Sequence, residues 1–222
     1  MEKYAADYLT IALPKGKLFS LSAHLFEKIG IAADYLSEKS RKLVISNDEL
    51  KVQFIITKTS DVPTYVEYGA ADIGIIGKDI LVESGQDVYE LLDLGFGKCR
   101  LMMAVPREER RSRLLDYTHT RVATKYPHIA EHFFAQQGMQ MEYIKLNGSI
   151  ELGPIVGLSE SIVDIVETGN TLVANGLKVY EDICRISARM IVNKASLKNN
   201  KEVLPFIRKI ESLVGNEEVP FE

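Results

Sequence analysis

The chain lacks the features that would place it in several large protein classes. Only two of its 222 residues are cysteine, Cys99 and Cys184. Each sits in a strand-like run, which argues against a disulfide framework and a cysteine-built metal site. No segment approaches the roughly 18 uninterrupted apolar residues of a membrane helix. The opening Met1 to Asp7 carries acids and no apolar run, unlike a signal peptide, so a cytoplasmic protein is expected. Positive charge is not in excess: 27 Lys and Arg stand against 31 Asp and Glu, a formal net charge of -4. General nucleic-acid binding, which uses a basic face, is therefore not expected, although a local basic pocket remains compatible. The Walker spacing and the GxGxxG fingerprint are both missing, so any nucleotide is held by other means. Of the four histidines, His128 and His132 have i,i+4 spacing. No Glu follows His128, however, and a solvated pair is the better reading.

What is present is an ordinary globular composition, 46% hydrophobic and 26% charged, in a chain long enough for one large domain or two small lobes. Leu9 to Leu13 is a short apolar run stopped by Pro14 and Gly16, a buried strand. From Leu18 to Ile29 the apolar residues follow helical spacing until Gly30. Leu43–Ile45 and Val52–Ile56 read as strands. Asp61 is expected to cap a helix with Pro63 in its first turn, closing at Gly69, and Asp72 to Gly77 is again a strand. Strands at Arg100–Val105, Arg121–Thr124, Met141–Leu146 and Ser161–Val166 surround a helix from about Ile129 to Gln137. The rhythm predicts an α/β fold with mostly parallel strands. Lys178 to Val192 is strand-rich. Glu202 to Val214 is an amphipathic helix whose pattern does not choose between its own lobe and a partner. The simplest architecture is two α/β lobes, 1–95 with 180–222 and 96–179.

The most informative segment runs from Asp164 to Leu172. Strand residues enter a loop of Glu167, Thr168, Gly169, Asn170 and Thr171, which opens a helix expected to continue through Leu172, Val173 and Leu177. Backbone N–H groups at a helix start suit a phosphate, and the hydroxyls and amide add donors. Asp164 and Glu167 beside them suit neutral hydroxyls or a metal ion; a ribose 5-phosphate offers both kinds of group. The plainer reading is a capped helix start, since Asn and Thr are preferred caps. Three further junctions carry cations: Lys15-Gly16-Lys17, Lys58 to Asp61, and Lys98 to Arg100. Each alone reads as solvated surface. Together they lie where an α/β lobe collects ligands, beyond the carboxyl ends of strands, and would suit a polyanion.

Four blocks in order then resemble the ATP phosphoribosyltransferase family: Leu13 to Leu18, Asp61 to Asp79, Gly97 to Leu101, and Asp164 to Leu172 with Ala174 to Leu177. The resemblance spans roughly residues 9 to 195. It implies a two-lobed fold like that of type II periplasmic binding proteins, with a cleft between the lobes. It also implies transfer of a phosphoribosyl group from phosphoribosyl pyrophosphate (PRPP) to ATP, the first step of histidine biosynthesis. The PRPP phosphate would sit on Glu167 to Thr171 with Asp164 near the ribose hydroxyls. ATP would lie near Lys15, Gly16, Lys17, Lys58 and Asp61. Lys58, Lys17 and Arg100 are the candidate catalytic cations. Mg²⁺ would ride on the pyrophosphate, with no side chain assigned as its ligand.

Positions 17 and 58 hold lysine where many members have arginine, which keeps charge but loses the planar fork. Gly153 stands where alanine is common, a change that reads as minor. The family's long form carries a further C-terminal regulatory domain, whereas the sequence here ends soon after its expected terminal helix. The resemblance is thus to the short form, a homodimer that joins a regulatory subunit resembling histidyl-tRNA synthetase. Two other readings remain. A non-catalytic two-lobed binding module does not explain the acidic Thr-Gly-Asn-Thr loop. A transferase using PRPP with another base does not explain the other blocks.

Overall fold

The structure, a computed structural model, describes residues 8–31 and 42–214. The opening residues 1–7, read above as unlike a signal peptide, and both extremities of the expected first lobe lie outside the described residues. The chain divides into two compact units, residues 1–97 with 187–222 and residues 98–186.

Unit 1 begins with β1 (Leu9–Pro14), buried along its whole length. There follow α1 (Lys17–Glu27), β2 (Val44–Asn47), β3 (Val52–Thr57), α2 (Val62–Glu67), β4 (Ile73–Gly77), α3 (Lys78–Ser84) and β5 (Tyr89–Asp93). Unit 2 contains β6 (Cys99–Pro106), β7 (Arg121–Thr124), α4 (Pro127–Gln136), β8 (Glu142–Lys145), α5 (Leu152–Ile155), β9 (Ser161–Val166), α6 (Asn170–Ala174) and β10 (Leu177–Ile186). The chain then returns to unit 1 as β11 (Ala188–Val192), α7 (Lys194–Asn199) and α8 (Val203–Val214).

Unit 1 is built on a sheet of order β2-β3-β1-β4-β11-β5, and unit 2 on one of order β10-β6-β9-β7-β8. The α/β class stands, but the strands are not mostly parallel. The pairs β1–β3, β1–β4, β7–β8 and β7–β9 are parallel. The pairs β2–β3, β4–β11, β5–β11, β6–β9 and β6–β10 are antiparallel. Alternation of strand and helix predicts the crossovers correctly. It cannot reveal that the four residues between β2 and β3 close a hairpin, nor that the returning strand inserts head to tail beside β4.

A second correction follows from β10. Its residues 180–186, assigned from the sequence to the first lobe, pair with β6 and belong to unit 2. A third concerns α2. Asp61 precedes it but makes no side-chain cap; its Oδ1 accepts instead from Ser60 Oγ at 2.8 Å, and a 3-10 turn at Thr59–Asp61 leads into the helix.

The core of unit 1 joins Ile11, Leu13, Phe54, Ile73 and Ile75 to Met190 and Val192 of the returning strand. The amphipathic pattern of α8 resolves onto its own unit. Val203, Phe206, Ile207 and Ile210 are buried in that core, with the Phe206 ring 5.9 Å from Phe26 and Phe26 5.5 Å from Phe54. One core cluster of unit 2 gathers Met102, Ala104, Ala123, Ile150, Ile162, Val166, Leu172 and Leu177. It ties β6, β7 and β9 to the loops at their ends, and those loops carry the polar residues considered next.

Candidate active site

On unit 2 the chain leaves β9 at Val166 and turns through Glu167, Thr168 and Gly169 into α6. The residue at the helix cap is Gly169, with φ 80° and ψ -3°, and it has no side chain to cap with. Thr168 Oγ1 reaches Asn170 N only at 3.5 Å, long for such a bond. Neither Asn170 nor Thr171 therefore takes the capping position that would account for the loop by local structure alone. The N–H groups of a first helical turn have no carbonyl one turn back, and here Glu167, Thr168, Asn170 and Thr171 are exposed. This arrangement can receive phosphate oxygens through backbone N–H groups and hydroxyls together. The helix is shorter than the sequence suggests. Asn175 donates its Nδ2 to Thr171 O at 2.8 Å and ends it, and Leu177 starts β10.

Side chains alternate along a strand, so Ile162, Asp164 and Val166 share one face of β9. Ile162 and Val166 lie in the core, and Asp164 rises between them, half-buried. Its Oδ1 accepts from Ile165 N at 2.8 Å. Burial, helped by the charge of Glu151, holds this carboxyl above the usual aspartate range, while the Ile165 N–H and Lys125 pull the other way. Glu151 and Lys125 are not among the residues singled out from the sequence. Lys125 follows the end of β7, the parallel neighbour of β9, and Glu151 follows the loop after β8, the parallel neighbour of β7. The rule that α/β ligands meet carboxyl ends of strands could have found both.

Arg100, the second residue of β6, is registered opposite Val166, so it starts beside the loop that runs from Glu167 to Thr171. Its guanidinium lies 3.5 Å from Asp182, but the two side chains are 52% and 62% exposed, and a pair so solvated constrains Arg100 little.

On unit 1, β1 and β3 run side by side in parallel with Pro14 opposite Thr57, and Lys15 N donates to Thr57 O at 3.0 Å. The Lys15-Gly16-Lys17 turn and the Lys58 to Asp61 turn are therefore neighbours. Lys15, Lys17 and Lys58 are exposed and Asp61 partly so. Gly16 holds φ 88° and ψ -152°, a region essentially closed to other residues, with nothing within 4 Å of an added Cβ. Its backbone angle, not crowding, demands glycine. The fold thus brings Lys15, Gly16, Lys17, Lys58 and Asp61 together on unit 1. It brings Arg100, Asp164 and Glu167 to Thr171 together on unit 2.

The histidine pair lies on α4, where His132 Nε2 sits 3.0 Å from Gln136 Nε2. Among the described residues no group of three His, Cys, Asp or Glu side chains could hold a metal ion. Cys99 in β6 and Cys184 in β10 form no disulfide.

Gly153 needs a correction. A Cβ there would lie 2.8 Å from Ala123 Cβ and 2.6 Å from Ser159 Oγ. The serine can rotate away, but a β-carbon of buried β7 cannot. Gly153→Ala, which looks minor in the sequence, should therefore cost about 1–3 kcal/mol through overpacking, read as a lower midpoint in a denaturant melt. An unchanged midpoint would show that α5 simply moves aside.

Comparison with known proteins gives a consistent result. A family model described as ATP phosphoribosyltransferase matches residues 58–213. An ATP phosphoribosyltransferase of Streptococcus thermophilus is 55% identical over 217 residues, covering 98% of this chain and 99% of the relative. One from Thermoanaerobacter sp. strain X514 is 56% identical over 209 residues, covering 94% and 97%. Among solved structures, the ATP phosphoribosyl transferase (HisG:HisZ) complex from Thermotoga maritima superposes with a TM-score of 0.78 at 30% identity, covering 94% of this chain and all of that one. The periplasmic aliphatic sulphonate binding protein SsuA of Escherichia coli, at 12% identity and a TM-score of 0.61 over 94% of this chain, shares the fold alone.

Proposed function

The chain belongs to the ATP phosphoribosyltransferase family, and from that premise we propose how its residues divide the reaction. That reaction joins N1 of ATP to C1 of PRPP, releases pyrophosphate, and is the first step of histidine biosynthesis. The observation that carries the assignment is one strand end. β9 presents a half-buried carboxylate at Asp164 and, three residues on, the exposed loop Glu167 to Thr171. The loop takes the 5-phosphate of PRPP and Asp164 takes the ribose hydroxyls, so one rigid element fixes both ends of the sugar. Glu151 stands beside Asp164 and adds a second carboxylate.

Adenine N1 attacks C1 from the face opposite the departing pyrophosphate. The bond to pyrophosphate breaks as the new C–N bond forms, and C1 passes through an oxocarbenium-like state. Adenine N1 is already nucleophilic, so no side chain need act as a strong base. Alignment and stabilisation of leaving-group charge carry the rate. Lys58, Lys17 and Arg100 supply that positive charge. Lys15, Gly16, Lys17, Lys58 and Asp61 hold ATP. Mg²⁺ would ride mainly on the pyrophosphate of the substrate. Asp164 and Glu151 are the hard oxygen donors that would help to hold it, and the ion would supply neutralising charge to the pyrophosphate.

We assign the working protein to the cytoplasm, as a homodimer joined by a regulatory subunit resembling histidyl-tRNA synthetase. The Thermotoga maritima neighbour is a HisG:HisZ complex, and that supports a hetero-oligomer here. No helix among the described residues is long and apolar enough to cross a membrane.

The purified chain, given ATP, PRPP, Mg²⁺ and pyrophosphatase, should build near-UV absorbance from N1-phosphoribosyl-ATP. Adding the regulatory subunit should raise the rate, and equal rates with and without it would remove that partner from the proposal. PRPP binding without product in either case would point to another acceptor. Neither product nor PRPP binding would sink the assignment.

A further inference from the structure

We infer that Thr124, which touches no substrate in the scheme above, is the positioning residue that holds the PRPP-binding end of unit 2 in register. The inference rests on the assignment of Asp164 to the ribose. Thr124 ends β7 and is completely buried. Its hydroxyl donates to Val163 O at 2.7 Å, the carbonyl immediately before Asp164, and accepts from Tyr126 N at 2.9 Å, immediately after Lys125. Its own carbonyl accepts from Leu146 N at 3.0 Å, at the start of the loop leading to Glu151. One residue thus ties together the segment carrying Asp164 and the two segments carrying Lys125 and Glu151, whose charges act on Asp164.

A threonine is not required here by volume, because valine fills almost the same space. It is required because the two groups it bonds are buried: without the hydroxyl, a carbonyl of β9 and an N–H of the β7–α4 turn both lose that bond. Relaxation of either would move Asp164 or Lys125 by a fraction of an ångström to an ångström, and misplacement on that scale can cost up to about 10²-fold in rate.

The test compares Thr124→Val, Thr124→Ser and Asp164→Asn in steady-state kinetics, each first checked for a native circular dichroism spectrum. Thr124→Val should lose on the order of 10-fold or more in kcat while KM for ATP, held on unit 1, stays within about twofold. Thr124→Ser keeps both bonds and should restore kcat to within about threefold of wild type. If Thr124→Val does not fold, Thr124→Cys takes its place, a near-isostere with a weak donor and the same expected loss. Wild-type kcat in the valine or cysteine variant, or a serine variant as slow as they are, overturns the inference. If Asp164→Asn is impaired in that case, the inference alone has failed. Wild-type activity in Asp164→Asn removes the ribose assignment and the inference with it.

Discussion

Asp164→Asn should lower kcat/KM for PRPP by on the order of 10²-fold while leaving the folded protein at least as stable at pH 7. The two effects have one cause. The wild-type carboxyl sits among Ile162 and Val166, and burial, followed by the nearby Glu151 charge, raises its pKa from the ordinary 3.8. A carboxyl whose pKa is higher in the folded than in the unfolded state binds its proton more tightly when folded. Its stabilising contribution is present below the unfolded value and is lost as pH rises through the folded one. Rising pH therefore forces charge onto a group whose ionised form the fold disfavours. Asparagine can still accept the Ile165 N–H and does not titrate, so it removes that cost along with the charge. Melts at pH 4 and pH 7 should show the variant gaining on wild type as pH rises, while kinetics show the loss. A variant that loses stability at pH 7 would mean that Asp164 is structural. Undiminished kcat/KM would release it from the ribose.

Lys58→Ala should cost on the order of 10²-fold or more in kcat, the loss expected when a preorganised cation is removed from the path of developing negative charge. Lys58 is exposed and stands at the head of a single 3-10 turn, so its truncation should leave stability within about 0.5 kcal/mol. The backbone bond from Lys15 N to Thr57 O fixes the two turns together, and the position of the charge is set by β1 and β3 rather than by the side chain. Lys58→Arg, with the charge kept and a planar fork added, should retain most of the activity. A wild-type kcat in Lys58→Ala would remove Lys58 from catalysis, and Lys17 and Arg100 would then be left to supply the charge. An arginine variant as slow as the alanine would mean that a compact ammonium is needed.

Much of this could be read from residue order because the central strands are short apolar runs between turn residues. Leu9 to Leu13, Arg121 to Thr124 and Ser161 to Val166 declare themselves in this way, and so does the Thr-Gly-Asn-Thr turn. What could not be read depends on lateral neighbours. β5 (Tyr89–Asp93) is an edge strand with mostly exposed residues and no apolar alternation to mark it. The helix α3 follows β4 without an intervening turn, so no loop marks its start. Glu151 and Lys125 reach Asp164 only because β8, β7 and β9 lie side by side. Gly153 looks interchangeable with alanine until Ala123 of β7 is placed beside it. Asp61 matches a helix cap in type and position, yet its carboxylate turns to Ser60.

The return of β11 to unit 1 has a consequence for how the chain is made. β5 pairs only with β11 among the described strands, and β11 also completes the edge of β4. On a ribosome these partners emerge far apart. At about 5–20 residues per second the stretch from Asp93 to Ala188 takes roughly 5–20 s to synthesise. Through that interval β5 is out of the tunnel with no strand to join, and the apolar flank of β4 is uncovered. Unit 2, whose strands are contiguous in sequence, has all its parts before unit 1 does. The half that leaves the ribosome first is therefore completed last, and it is the half that needs shielding from neighbours while it waits.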